Sequence, residues 1–503
     1  MGNVKRAFPI FIGIGACVAE RLEKMHYIIN GREPAAVFRF FEEICAIPHP
    51  SYHEERIADY LVAFAASRGL EYYRDELHNV LIKKPATQGA SERAPLLLQG
   101  HTDMVCEKNG DVEHDFLKDP LKLFLEGNLL GARGTTLGGD DGIAVAVMLA
   151  ILDGALAEHP ALECLFTVAE EVGLNGAHGF DYSKLVARRM INLDSEDLGV
   201  VTAGCAGGLR SELTVSGSAV PFCGQALRVS VQGLMGGHSG VDIATGRANA
   251  NKLMGRVLAR LARQDGFRIV SLCGGSKDNA IPRECEAVVA VSDAVAAVAC
   301  VREAERLIAA ELVAEDAGFA VTAEQMTAPD AMLCEADSAR VLAVLATVDN
   351  GIKEMNRSIK GLVEWSRNLG VVRTQGAEVT FVFSSRSAME SRLDASIDEI
   401  DTLAAIVGGK TNHHSRYPGW EYAPVSPLRD AYLAAYRTVT GKEARVDVIH
   451  AGLECGIISS HLPDMDIISI GPDMHDIHSP AERLDLASVE LFWKTLEAVI
   501  DLL

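Results

Sequence analysis

Apolar and polar positions along the chain predict alternating helices and strands from Pro34 onward. Apolar residues recur at helical spacing in 37–44 and 57–64, which predicts two amphipathic helices. Short apolar runs predict buried strands at 80–82, 96–98, 162–168 and 190–193. The small-residue run 143–152 predicts a helix that packs closely against those strands. Strands that alternate with helices favour an α/β layer with helices on both faces.

The pattern changes after a glycine cluster at 204, 207 and 208. Residues 227–231 alternate like a strand with one solvent-facing side, and this region contains further predicted strands at 287–291, 320–323 and 379–383. Helices are predicted at about 247–263, 294–312 and 338–348. A sheet with helices on one side indicates an α+β domain.

The α/β pattern returns after Gly408 and Gly409, with a strand at 467–470 and an amphipathic helix at 486–502. We find no sequence repeat and no low-complexity segment. We therefore predict an α/β domain in two parts, 25–207 and 406–503, with an inserted α+β domain at 208–405.

Residues 1–24 have a pattern of their own. Lys5 and Arg6 precede an apolar run at 7–19 that is too short to span a bilayer and that resembles a signal peptide. The alternative is an extension or a misassigned start, with the domain beginning near Met25. We favour the extension, because the cysteine usage fits a protein that is not exported. No other segment has the length and apolarity of a membrane helix.

Composition narrows the classes of function. The chain has 503 residues with a formal net charge of −22, so nucleic acid is not expected as its main partner. Its 48% hydrophobic content is enough for a sizeable core. The 11 cysteines include no closely spaced CxxC pair, which indicates reduced thiols and a cytoplasmic protein.

Residues that can bind metals follow several of the predicted strands. They are His101 with Asp103, Asp140 with Asp141, Glu170 with Glu171, Asp194 and His478. Each has an ordinary alternative, such as a structural histidine, a solvated Asp-Gly turn or an acidic pair at a helix start. Their joint occurrence at strand ends favours a metal site, because α/β sheets bind ligands there. Oxygen and nitrogen donors without thiolate suit zinc, cobalt or manganese.

The same motifs carry a resemblance to a known family. Gly-His-Thr-Asp-Met-Val, Gly-Asp-Asp-Gly-Ile, Glu-Glu-Val-Gly, Asn-Leu-Asp-Ser-Glu and His-Ser-Pro, in this order, resemble the co-catalytic zinc aminoacylase/carboxypeptidase-type metallopeptidases. Further motifs resemble the aminoacyl-histidine dipeptidase (peptidase D, Xaa-His dipeptidase) subgroup; they lie at 47–55, 236–240, 249–253, 279–282 and 450–456. The similarity extends from about residue 34 to the end. It implies a split α/β/α zinc-peptidase domain with an inserted α+β lid, and hydrolysis of unblocked dipeptides, including Xaa-His substrates such as carnosine.

The resemblance also implies roles for individual residues. Two divalent ions, zinc first and cobalt or manganese as alternatives, would be bound by His101, Asp140, Glu171, Asp194 and His478. Asp140 would bridge the two ions, Asp103 would orient His101, and Glu170 would be the general base. The chain departs from the subgroup at Asp141, where asparagine is expected, and this adds a negative charge beside the bridging carboxylate.

Five further residues are implied to bind the substrate. His238 would stabilise the oxyanion, Arg386 would clamp the substrate carboxylate, and Asn279 would hydrogen-bond the same substrate. Gly452 would let the backbone approach the ligand, and Glu454 would meet the free amine, with a capping or solvated glutamate as its alternative. The insert at 208–405 carries no metal motif and would close over the substrate.

Other functions remain open from the sequence. One is a related amidohydrolase, namely an aminoacylase, a carboxypeptidase or a tripeptidase. Another is a metal-binding or peptide-binding protein without turnover, against which the intact Glu170 and ligand set argue. We expect small dipeptides as partners, neither nucleic acid nor membrane, and leave a homodimer open.

Overall fold

The computed structural model describes Leu22, residues 25–357 and residues 359–503. The predictions on residues 1–24 therefore lie outside the described residues, apart from Leu22. In the described ranges, no helix is long and apolar enough to cross a membrane. The chain divides into a first unit, Met1–Gly204, Tyr422–Val448 and Leu453–Leu503, and a second unit, Cys205–Glu421 and Ile449–Gly452.

The α-helices of the described residues, numbered in chain order, have the following bounds: α1 Ala35–Cys45, α2 Glu55–Ser67, α3 Gly139–Leu152, α4 Asn175–Gly179, α5 Ala250–Leu261, α6 Ala294–Ala309, α7 Glu335–Thr347, α8 Glu390–Val407, α9 Pro427–Thr440, α10 Glu454–His461 and α11 Leu486–Leu502. The strands before residue 206 are β1 Glu71–Arg74, β2 Val80–Lys84, β3 Leu96–His101, β4 Leu123–Glu126, β5 Leu129–Ala132, β6 Leu162–Thr167, β7 Arg189–Asn192 and β8 Val200–Cys205.

The strands that follow lie mainly in the second unit: β9 Gly207–Ser216, β10 Ala219–Pro221, β11 Gln225–Gln232, β12 Gly237–His238, β13 Arg268–Gly274, β14 Ala280–Ile281, β15 Cys285–Val291, β16 Ala320–Met326, β17 Ala331–Leu333, β18 Gly351–Met355, β19 Val363–Gln375, β20 Glu378–Ser387 and β21 Lys410–Tyr417. The last strands are β22 Arg445–Ile449, β23 Asp466–Ser469, β24 Met474–His475 and β25 Arg483–Asp485.

The first unit is built on a mixed sheet with the strand order β1-β2-β6-β3-β7-β23-β8-β22. Its central strands run parallel, since β3 pairs with β6 and β7, and β23 pairs with β7. The carboxyl ends of β3, β6 and β7 therefore meet at one edge of the sheet, where residues that follow these strands come together. Helix α3 is buried along its whole length and packs against α1 and β3. This placement fixes the start of α3 beside the same edge.

The helices of the first unit confirm the apolar spacing in the sequence. Helix α1 buries Val37, Phe40, Phe41 and Ile44 on one face, and Pro34 takes its N-cap position. Helix α2 buries the apolar residues 57–64 and is followed by Gly69, which has a φ of 67°. A glycine accepts this left-handed conformation at little cost, so the helix ends there.

The second unit contains a sheet with the order β16-β11-β15-β13-β19-β20-β9-β21, and β18 pairs with β19. It is made of two copies of one topology, β-α-β-β-α-β. The first copy is β11-α5-β13-β15-α6-β16, and the second is β9-α7-β19-β20-α8-β21. The two copies join where β13 pairs antiparallel with β19. No sequence repeat accompanies this structural repeat, because each copy needs only the same apolar pattern.

The fold is a split α/β unit with an inserted α+β unit, as the sequence predicted, but the boundaries of the insert differ. The predicted insert was 208–405, whereas the second unit comprises Cys205–Glu421 and also Ile449–Gly452. Residue 405 lies inside helix α8, and the following strand β21 pairs with β9 of the second unit. The glycines Gly408 and Gly409, which suggested a change of domain, form the turn between α8 and β21.

Candidate active site

His101 lies at the carboxyl end of β3 and is 1% exposed. Its Nε2 atom lies 3.0 Å from Oδ1 of Asp140 and 3.7 Å from Oδ1 of Asp194. The start of α3 can approach β3 because Gly100 has no side chain, since a Cβ there would lie 2.5 Å from the Asp141 carboxylate. The strand end and the helix start thus bring an imidazole and two carboxylates together.

The carboxylate of Asp140 lies between two imidazoles. Its Oδ1 atom faces His101, and its Oδ2 atom lies 3.1 Å from Nε2 of His478. The same Nε2 atom lies 3.0 Å from Oε1 of Glu171, in the loop after β6. Asp140 is therefore shared by residues that are more than 300 positions apart in the sequence.

Two groups of donors in this region fit a divalent ion each. His101, Asp140 and Asp194 form one group, and Asp140, Glu171 and His478 form the other; in each, the donor atoms lie within 4.8 Å of one another. His101, Glu170 and Glu171 also meet this limit. Carboxylate oxygens and imidazole nitrogens are ordinary zinc ligands, so the residues suit a dinuclear site. All five ligands predicted from the sequence are brought together, with Glu170 beside them.

The electrostatics of the cluster also favour cations. Burial raises the pKa of Glu170 and Asp194 well above the ordinary carboxyl value, and neighbouring carboxylates add to the shift. Hydrogen bonds with Asp140 and Glu171 raise the pKa of His478 to about 10. In Asp140, hydrogen bonds with the two histidines outweigh burial and lower the pKa. Bound divalent ions would stabilise the charged form of these buried carboxylates.

Asp103 does more than the sequence predicted. Nδ1 of His101 lies 3.0 Å from the carbonyl oxygen of Asp103 and 3.5 Å from its carboxylate. The carboxylate accepts hydrogen bonds from the backbone N–H groups of Glu170, at 3.0 Å, and Glu171, at 3.4 Å. Asp103 therefore fixes the loop that carries these two glutamates, as well as lying beside His101.

Two residues that sequence reasoning missed support the same loop. The Ser51 hydroxyl donates to Oδ2 of Asp103 at 2.7 Å. The buried Glu54 accepts from the N–H of Ala169 at 2.9 Å, and Ala169 has a φ of 51°. A non-glycine residue rarely adopts this conformation, so the contact helps to hold it. The signal was available, because both residues lie in the motif 47–55.

Asp141, the departure from the subgroup, is completely buried. Its Oδ2 atom accepts from the backbone N–H of His101 at 3.2 Å, and its Oδ1 atom has no hydrogen-bond partner among the described residues. Burial, reinforced by the charge of Asp140, raises the pKa of Asp141 well above its ordinary value.

For Glu454 the structure contradicts only the solvated alternative. The sequence predicted a contact with the substrate amine, or else a capping or solvated residue. In the structure its side chain is buried, and Oε2 accepts from Nε2 of Gln99 and from the Thr167 hydroxyl, each at 2.6 Å. Burial raises its pKa to about 7. Glu454 thus links the carboxyl-terminal parts of β3 and β6 by hydrogen bonds. The solvated alternative is wrong, and the contact with the substrate amine stays a prediction.

The other predicted substrate residues lie in the second unit, where Arg386 and Gly452 lie beside Tyr417 and His238 lies beside Arg386. Arg386 donates from Nη1 to the Tyr417 hydroxyl at 2.9 Å, and its Nη2 lies 3.3 Å from Nε2 of His238. Gly452 leaves room for the Tyr417 ring, since a Cβ there would lie 2.8 Å from it. The Asn279 carbonyl accepts from the N–H of the residue after His238 at 2.8 Å.

Comparisons with known proteins agree with this arrangement. Residues 229–316 match the family model described as the peptidase dimerisation domain. The chain is 38% identical over 471 residues to the cytosol non-specific dipeptidase of Escherichia coli, with 93% of this chain and 97% of that protein covered. The chain belongs to this dipeptidase family, within the M20 peptidases. It is therefore a peptidase that hydrolyses peptide bonds.

Solved structures extend the comparison. The aminoacylhistidine dipeptidase of Vibrio alginolyticus matches with a TM-score of 0.88 and 36% identity, covering 96% of this chain and 99% of that one. The aminopeptidase PepT of Bacillus cereus matches with a TM-score of 0.53 and 15% identity, covering 93% and 97%. The second match shows the fold alone. The M20 dipeptidase family thus accounts for both units of the chain.

Proposed function

We propose that this M20 dipeptidase hydrolyses unblocked dipeptides, including Xaa-His substrates, with two divalent ions at the site described above. The observation that carries the proposal is the Asp140 carboxylate, which belongs to both donor groups and has Glu170 close by. The names of the two similar proteins support the substrate class, since one is a non-specific dipeptidase and the other an aminoacylhistidine dipeptidase.

The donor sets give each ion its own ligands. His101, Asp140 and Asp194 would hold one ion, and Asp140, Glu171 and His478 the other. Zinc is the first candidate, with cobalt and manganese as alternatives that have the same donor preference. When bound, the ions would polarise the peptide carbonyl and lower the pKa of the attacking water.

Glu170 is proposed as the general base. Its carboxylate lies within a donor group formed with His101 and Glu171, so it is beside ligands of both proposed ions. Its raised pKa, caused by burial, suits a group that accepts a proton and later returns it to the leaving amine. The hydrogen bond from its backbone N–H to Asp103 holds the loop in place during both transfers.

In the second unit, His238 is proposed to stabilise the oxyanion and Arg386 to bind the free carboxylate of the dipeptide. Burial and the nearby Arg386 lower the pKa of His238, which favours the neutral imidazole. Arg386 is 6% exposed and its direction is set by the Tyr417 hydroxyl, so little side-chain entropy is lost on binding. Asn279 and Gly452 would complete this substrate contact, and the unit would act as a lid.

We also propose a cytoplasmic location and a homodimer. The similar Escherichia coli protein is named for the cytosol, and Cys45, Cys164 and Cys285 are buried here as free thiols. The match of residues 229–316 to a dimerisation domain supports a dimer.

The test is an assay of the purified protein on carnosine, Gly-His, Ala-Ala and an N-acetyl amino acid, with chelator and with added zinc. We expect the dipeptides to be hydrolysed only with metal, and the acetylated compound to be left intact. Turnover of the acetylated compound alone would favour an aminoacylase. Absence of any turnover in metal-loaded protein would favour a binding protein.

A further inference from the structure

Glu482 is a buried carboxylate that has no role in the chemistry described above. It is 2% exposed and lies four residues after His478 in the sequence. None of the three donor groups found among the described residues includes it. Burying a carboxylate costs free energy unless hydrogen bonds compensate for the lost solvation. The hydrogen-bond partners of Glu482 therefore indicate which part of the structure it stabilises.

Its partners are the three backbone N–H groups directly before Asp140. Oε2 of Glu482 accepts from Leu137 at 2.7 Å and from Gly138 at 3.2 Å, and Oε1 accepts from Gly139 at 2.8 Å. Gly138 occupies the N-cap position of α3 and has no side chain with which to cap it. Glu482 supplies the acceptors and the negative charge that a helix N-terminus lacks.

The same residue ends the turn that carries His478. The Glu482 N–H donates to the carbonyl of Ser479 at 3.0 Å, and the Ser479 hydroxyl donates to the carbonyl of Asp476 at 2.7 Å. His478 and Asp476 have φ values of 60° and 50°. Non-glycine residues in this region are held by their surroundings, so the turn depends on such contacts.

We propose that Glu482 is a positioning residue that joins the loop of Asp140 to the loop of His478 and so sets the geometry of the ion that both bind. This inference rests on the proposed metal-dependent function. Residues that support metal ligands typically contribute about 10–100-fold in metal affinity or activity. Without Glu482, the ion held by Asp140, Glu171 and His478 is the one that weakens.

The test compares Glu482→Gln with Glu163→Gln. Glu163 is a matched control, because it is also buried in the first unit and accepts from the backbone N–H groups of Val186 and Ala187. It lies at the opposite end of β6 from Glu170 and also pairs with Lys83. Its replacement should therefore disturb folding at least as much, without reaching the metal ligands.

Four readouts separate positioning from simple stability: folding by circular dichroism, zinc affinity by equilibrium dialysis, the visible spectrum of the cobalt form, and kcat and KM for Gly-His. For Glu482→Gln we expect a folded protein, one ion bound about 10–100-fold more weakly, a changed cobalt spectrum, and a lower kcat that excess zinc partly restores. KM should stay within about 2-fold. Glu482→Asp keeps the charge and should recover part of the affinity, and Glu163→Gln should match the wild type in all metal readouts.

Unchanged zinc affinity and cobalt spectrum in Glu482→Gln would overturn the proposal. Equal metal effects in both glutamine variants, or loss of folding in Glu482→Gln alone, would also overturn it in favour of a purely structural carboxylate. If the wild type itself binds no ion and resists chelation, the proposed function fails instead, so the two failures are distinguishable.

Discussion

The two units of the chain hold their functional residues in different ways. In the first unit the ligands come from strand ends and loops, and a network of carboxylates and backbone amides fixes them, as Asp103 does for Glu170 and Glu171. In the second unit the register of the sheet positions the side chains, since Arg386 in β20 lies opposite Gly208 in β9. A Cβ on Gly208 would lie 2.4 Å from the ring of Tyr417, the partner of Arg386.

The difference shows which functional residues a sequence displays. A metal site needs several charged residues close together, and such residues at strand ends are conspicuous. A substrate clamp needs one or two side chains, and a single arginine or histidine in a sheet looks ordinary. The comparison therefore predicts large losses of chemistry from changes in the first unit, and smaller losses tied to particular substrates from changes in the second.

The largest effect is expected from Glu170→Gln. Removing a general base typically lowers kcat by about 10²–10⁴-fold, while the metal ligands remain. The variant should therefore bind as many ions as the wild type and still lose turnover. A kcat near the wild-type value would remove Glu170 from its proposed role. Glu163→Gln is the control for replacing a buried glutamate in this unit.

A smaller effect is expected from His238→Ala in the second unit. Loss of an oxyanion donor typically costs about 10²-fold in kcat, because the oxyanion exists only near the transition state. The measurement is kcat and KM on Gly-His at saturating metal. If only KM changes, His238 binds substrate and does not stabilise the transition state.

Arg386→Ala should lower kcat/KM for dipeptides by about 30-fold, because an unpaired carboxylate in a buried contact costs about 2 kcal/mol or more. Dipeptide amides, which lack the charge, should be affected much less. Arg373→Ala is a matched control, since Arg373 lies in β19 of the same sheet with an exposed side chain. Equal losses on Gly-His and its amide would show that Arg386 does not bind the carboxylate.

A further prediction is a pH dependence of metal affinity. The pKa of His478 is raised to about 10 by its hydrogen bonds to Asp140 and Glu171, so the metal-free residue carries a proton at neutral pH. A bound ion must displace this proton, and affinity should therefore tighten by up to about tenfold for each pH unit between about 6.5 and 8.5. Zinc titrations at three pH values check this, and an affinity independent of pH would contradict it.

Much of the first unit could be predicted from the sequence, because its helices and buried strands have strong apolar periodicity and its ligands follow those strands. The supporting residues were harder. Glu482 acts through backbone N–H groups, and such partners leave no pattern in side chains, whereas Glu54 at least lies in the motif 47–55. The burial of Glu454 was also hard to predict, since a glutamate at the start of α10 looks solvated until Gln99 and Thr167 are placed around it.

The second unit was less predictable. Its structural repeat has no counterpart in sequence similarity, since a strand such as β9 or β11 needs only alternation of apolar and polar residues. Helix α8 was missed, and the boundary at 405 fell inside it, because its charged residues conceal a short apolar face. The two glycines at 408 and 409 indicated a domain boundary more strongly than the sequence of α8 indicated a helix.

The most direct test of the account is the number of metal ions bound per chain in the wild type, Asp140→Ala and His478→Ala. The account predicts about two ions in the wild type, weakened binding of both in Asp140→Ala, and about one ion in His478→Ala, because Asp140 alone belongs to both donor groups. Equal ion counts in the three proteins, or full activity in a wild type that contains no metal, would contradict it.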